Sequence, residues 1–79
     1  MNLEGQVVKF NVSGVQKDLN NFQDSCPAIV TKDWNPEFPL NEKLLNLKVL
    51  FDGEGIMWLT SICHAINPGL EYSWQLYQE

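Results

Sequence analysis

Apolar and polar residues alternate along most of this chain, in short runs separated by turn signals. From Gln6 to Val12, Val8, Phe10 and Val12 point one way and Val7, Lys9 and Asn11 the other. That is the period-two signature of a half-buried strand. Ser13-Gly14 ends it. In the stretch from Val15 to Ser25, Leu19 and Phe22 are spaced as on one helical face, but Asn20-Asn21 opposes a stable helix. Asn prefers caps and turns, so a loop with at most one helical turn is expected there. Pro27 to Trp34 reads as a second strand, with Ala28 and Val30 toward the core and Ile29 and Thr31 opposite. Its proline sits at the first position, where a strand tolerates one. Asn35 to Lys43, with Pro36, Pro39, Glu37 and Glu42, reads as a surface loop. It is long for a hairpin connection, and long loops are often functional.

Leu45 to Phe51 is the third predicted strand, with Leu45, Leu47, Val49 and Phe51 on one face. Asp52-Gly53 follows, a hairpin signal in which glycine supplies positive φ without steric cost. In Ile56 to Cys63, Trp58, Thr60 and Ile62 share one side and Met57, Leu59, Ser61 and Cys63 the other. Both sides carry apolar residues, so a central strand is expected, with Cys63 toward the interior. The stretch from His64 to Gly69 is turn-rich, and Tyr72 to Tyr77 is the fifth predicted strand. Five short strands in one domain spanning 1–79 point to an all-β fold, a small, partly open SH3-like barrel, with an OB-like barrel as the alternative. Its expected core is Val8, Phe10, Val30, Leu47, Val49 and Leu59.

Length and charge narrow the picture. Chains of this size bury only about 60% of their unfolded surface, so large aromatics must supply much of the core. Three Trp, four Phe and two Tyr are present. The net charge is -5, Arg is absent and the five Lys are dispersed. This opposes binding of duplex nucleic acid, which needs several phosphates neutralised. An acidic excess of this size ordinarily serves solubility. Met1-Asn2-Leu3-Glu4-Gly5 has neither the basic start nor the apolar run of an export signal. No run approaches the roughly 18 apolar residues of a membrane span. The expected setting is therefore the cytoplasm, with Cys26 and Cys63 reduced. Neither Cys-x-x-Cys nor paired His spacing accompanies them, so no zinc site with His64 is expected.

A set of motifs in order carries a resemblance. Gly5-Gln6-Val7-Val8, Pro27-Ala28-Ile29-Val30 with Trp34, Asn46-Leu47-Lys48-Val49-Leu50-Phe51-Asp52-Gly53, Trp58-Leu59-Thr60-Ser61 and Pro68-Gly69 with Trp74 follow one another. This pattern resembles small uncharacterised proteins of tailed bacteriophages and prophages. It covers most of the chain outside 15–25 and 35–43. The chain departs from it at the end, where Glu71-Tyr72-Ser73-Trp74-Gln75 stands in place of a Trp-His-Trp-Pro stretch. The resemblance implies a phage or prophage origin and, acting in the host cell, no defined activity.

Candidate chemistry is sparse. His64 is the only histidine. On a strand Ser61 and Cys63 share one face and His64 takes the other, so it is no local base for Cys63. No glycine loop nearby offers an oxyanion hole. The paired carboxylates, Asp52 with Glu54 and Glu37 with Glu42, lie at wet turns, whereas acid-base catalysis needs a partly dry carboxyl. The residues left are aromatic and hydroxyl-bearing: Trp58, Thr60, Ser61, His64, Trp74 and Trp34. If the fourth and fifth strands are close, two aromatic planes meet hydroxyls and an imidazole around the main concave surface. Such a set stacks a ring and hydrogen-bonds to phosphate or ribose. The plainer account of the same residues is core Trp plus a strand Thr.

The functional expectation is therefore a noncatalytic phage-derived binding module without a cofactor. It would act on host machinery in counter-defence, by binding a host protein or by sequestering a small nucleotide immune signal. A structural or assembly accessory of the phage particle is the alternative. Self-association into a homo-oligomer is left open.

Overall fold

Alternation decides which strand residues enter the core, and five strands carry it. The computed structural model describes every residue except Glu54, Pro68 and Glu79. The strands are β1 (Val7–Asn11), β2 (Ser25–Asp33), β3 (Leu44–Leu50), β4 (Ile56–Cys63) and β5 (Ser73–Gln75). They form one antiparallel sheet in the order β4-β3-β2-β1-β5. The first four strands are a meander, and the fifth returns to pair with the first. The sheet curls around its apolar face. His64 bridges to Trp74, and the Ala65 N–H donates to the Trp74 carbonyl at 2.8 Å. These contacts draw the two ends of the sheet together into a small, partly open, barrel-like all-β fold.

The expected core residues Val8, Phe10, Val30, Leu47, Val49 and Leu59 are all buried. Phe51, Ile62 and Trp74 join them. The segment after β1 forms a 3-10 helix over Gly14–Asn20, longer than the single turn expected. Asn20 explains why asparagine stands there. Its buried side-chain amide donates to the carbonyls of Gln23 (2.9 Å) and Ser25 (3.0 Å) and accepts the Asp52 N–H (2.8 Å). One side chain thereby ties this segment to the β3–β4 hairpin.

Three expectations need correction. First, β4 is an edge strand. Its apolar residues on both sides reflect one buried and one uncovered face, not strands on either side. Second, its alternation breaks. Leu47 pairs with Leu59 but Leu45 with Ile62, so two steps on β3 face three on β4. Ser61 adopts a left-handed φ of 56° within this bulge. The extra residue swings Ile62 into the core and turns Cys63 outward. Third, the positive φ of the hairpin belongs to Gly55, at 98°, and not to Gly53. Gly53 is required for another reason, because a Cβ there would run into the carbonyl oxygen of Leu19. The Asp52/Glu54 pair and the Pro68 motif involve residues outside those described.

The loop between β2 and β3 is fastened by a buried ion pair. Lys43 Nζ lies 2.8 Å from Asp33 Oδ2 and also donates to the carbonyls of Asn35 (3.0 Å) and Pro36 (2.9 Å). Burial by itself would push the Asp33 carboxyl up. The Lys43 hydrogen bond and the backbone N–H groups of Leu3 and Asn35 outweigh it and hold the carboxyl below its ordinary value. Among the described residues, no helix is long and apolar enough to cross a membrane.

Candidate functional site on the outer face of the sheet

Each strand of the meander turns its non-core residues to the outer face. Cross-strand register sets Val7, Ile29, Lys48 and Trp58 in one row. Lys9 lies opposite Pro27, and Lys32 opposite Asn46. Lysines far apart in sequence thus gather on one face. Of the five lysines, Lys17 pairs with Asp24 at the surface and Lys43 with Asp33 in the interior. Lys9, Lys32 and Lys48 form no ion pair among the described residues. On the strands themselves the only carboxylate is Asp33, buried against Lys43. A chain of net charge -5 therefore presents a locally basic sheet face.

Two tryptophans stand on that face, and both are held by their indole N–H groups. Trp34 follows β2, is 48% exposed, and donates from Nε1 to Asn46 Oδ1 at 2.8 Å. The same oxygen accepts the Ser61 N–H at 2.9 Å. Asn46 thus fixes the Trp34 ring and the β4 bulge together. Trp58 is 62% exposed and reaches Thr31 Oγ1 from Nε1 at 3.4 Å. The Thr31 hydroxyl donates to the Asn46 carbonyl at 3.2 Å. The two indoles are thereby anchored to one hydrogen-bonded Thr31–Asn46 pair. Lys32 Nζ sits 4.7 Å from the centre of the Trp34 ring. Such a contact holds an ammonium beside an aromatic plane. The site is a pair of exposed indoles with Lys32 beside Trp34, Lys48 opposite Trp58 and the hydroxyls of Thr31, Thr60 and Ser61 in the same region.

Of the residues singled out by sequence, Trp34, Trp58, Thr60 and Ser61 share this exposed region. Trp74 does not. It is 0% exposed in the core, where no ligand can stack on it. His64 packs edge-on against it, with ring centres 4.7 Å apart and planes at 69°. The expected meeting of Trp58 with Trp74 fails because the two rings lie on opposite faces of the curled sheet, Trp74 inside the core and Trp58 outside. None of the six lines the cavity beside the β2–β3 loop. That cavity, of about 340 Å³, is lined by Met1, Glu37, Phe38, Pro39, Leu40 and Lys43. Sequence reasoning missed Thr31, Asn46, Lys32, Lys48 and Lys9. Lys9 and Lys48 lie on the polar side of their strands' alternation, and that signal was available; Lys32 shares parity with Ala28 and Val30 and faces outward only through the register shift between Val30 and Lys32. Asn46, between Leu45 and Leu47, gave none, because its role depends on the β4 bulge.

The cysteines are free, Cys26 buried and Cys63 exposed. Burial pushes the Cys26 thiol up to about 11, which suits a packing residue. Among the described residues, no group of three or more His, Cys, Asp or Glu side chains is placed to hold a metal ion. Comparison with protein families, with curated proteins and with solved structures gives no match.

Proposed function

We propose that the chain is a noncatalytic binding module that captures a nucleotide-class ligand on the outer face of its sheet. The observation that carries this reading is the coincidence of exposed Trp34 and Trp58 with Lys9, Lys32 and Lys48 on a face to which the strands contribute no carboxylate. An aromatic plane stacks on any base, and an ammonium beside it neutralises phosphate. Both indole N–H groups already have partners on the face, which lowers the ordering cost that falls on binding. A site without a poised nucleophile-base pair suits stoichiometric capture. Together with the resemblance of the sequence to tailed-phage proteins, this favours counter-defence by sequestering a small nucleotide signal in the host cell.

Calorimetric titration with cyclic dinucleotides and ADP-ribose derivatives tests the reading. A stacked base is worth about 1–3 kcal/mol by alanine substitution. Trp34→Ala and Trp58→Ala are each expected to weaken binding about ten- to a hundredfold. Absence of heat with every ligand, or binding unchanged in both variants, would contradict it.

A further inference from the structure

The sequence of β4 and its position in the sheet disagree. Ile56-Met57-Trp58-Leu59-Thr60-Ser61-Ile62-Cys63 holds no charge and no proline. That is the composition of a strand with neighbours on both sides. Yet β4 ends the sheet, and only β3 pairs with it. Natural edge strands are protected by brevity, lysine, proline, inward-pointing charge or a covering element. The other edge shows such protection: β5 has three residues, all buried. β4 has eight residues, and the bulge at Ser61 and the His64–Trp74 bridge guard only its C-terminal end. From Ile56 to Thr60 no described strand covers the free backbone edge. Ile56 and Trp58 beside it are 63% and 62% exposed.

We propose that a second copy of this chain covers that edge, with the two β4 strands pairing antiparallel across a twofold axis. Three features favour a second copy over other occupants. The pairing is self-complementary, since an antiparallel strand pair about a twofold presents the same residues from each side. It also escapes the like-charge repulsion that a chain of net charge -5 meets elsewhere on its surface. No side chain of β4 is charged, so pairing two copies brings no like charges into the seam itself. Finally, the pairing continues the sheet without covering its outer face. Trp58 and Thr60 of each copy stay on that face, and the two aromatic sites become parts of one surface. Ten strands then run through the dimer, and β4 is central, as its composition demands.

The test is sedimentation equilibrium of the full chain over a wide concentration range, in reductant so that the exposed Cys63 cannot link copies. The expected mass rises from 9.1 kDa toward twice that value. Ile56→Lys and Thr60→Lys alter exposed edge positions that the fold tolerates, and each puts like charges near the axis. Each is expected to abolish the rise while leaving the circular dichroism spectrum unchanged. Hydrogen exchange provides a second reading that needs no variant. The amides facing the free edge between Ile56 and Thr60 are expected to exchange at least about tenfold more slowly in concentrated than in dilute protein. A 9.1 kDa species at every concentration would overturn the proposal. So would a dimer that survives both lysine substitutions, or exchange at β4 that ignores concentration.

Discussion

Trp58 and Trp74 are the same residue type put to opposite uses. Trp74 is fully enclosed, whereas Trp58 leaves more than half of its surface in water. Replacing a buried Trp by Ala removes its burial and leaves a cavity, at a cost of about 3–5 kcal/mol. Trp74→Ala is therefore expected to lower the denaturation midpoint steeply, or to prevent folding. Trp58→Ala is expected to change stability by less than about 0.5 kcal/mol, as at exposed sites away from the core. Chemical denaturation of both variants checks this, and equal losses would contradict the division. At this scale the sequence was half informative. Of the residues it singled out, Trp34, Trp58, Thr60 and Ser61 are exposed, but alternation alone could not say which Trp is enclosed. Trp74 lies in a short strand whose three residues are all buried, so its neighbours carry no alternating signal. Ser73 and Gln75 are enclosed because Asn11 Nδ2 donates to both, at 3.1 and 3.0 Å. Those partners come from β1, more than 60 residues away in sequence.

The elements were legible where a local rule governs them. β1, β3 and the core half of β2 follow period-two alternation, and their inward residues are those expected. The failures sit at bulges and at close approaches between segments. The β4 bulge depends on Asn46 of the neighbouring strand accepting the Ser61 N–H. No pattern within β4 announces it. The hairpin shows the same limit. Its glycines were expected to serve φ, but Gly53 serves the contact with Leu19. Gly53→Ala is accordingly expected to destabilise the protein by about 1–3 kcal/mol through overpacking. The clash is with backbone, which cannot rotate away as a side chain can. Denaturant midpoints measure this, and a neutral or stabilising substitution would show that the 3-10 segment does not dock on the hairpin.

Across the whole molecule, the lysines divide between the interior and the surface. One lysine, Lys43, is enclosed with Asp33 and fastens the long loop to the end of β2. Three others are spread over the outer face. Removing one partner of a buried pair leaves an uncompensated charge, so Lys43→Met is expected to cost about 3–5 kcal/mol. The pH dependence follows the direction of the Asp33 shift. Its carboxyl is held below the ordinary value in the folded chain, so the unfolded chain takes up the proton more readily. The stabilisation is complete above the unfolded value of about 4 and is lost as pH falls through the folded value. Thermal melts of wild type are therefore expected to fall off below about pH 4, and less steeply in the Asp33→Asn, Lys43→Met double variant. An identical acid profile in that variant would remove Asp33 as a cause.

The central claim is that the outer face of the sheet binds a nucleotide-class ligand. The chain holds three indole N–H groups, from Trp34, Trp58 and Trp74, which serve as separate reporters in one spectrum. The most direct measurement is an NMR titration of ¹⁵N-labelled protein with a cyclic dinucleotide, following those three signals and the backbone amides. The account predicts that the Trp34 and Trp58 indole signals move in step with the amides of Thr31, Lys32, Asn46 and Lys48, while the Trp74 signal stays in place. Shifts confined to Phe38, Leu40 and Lys43 around the loop cavity, or no shifts at all across the nucleotide ligands, would contradict it.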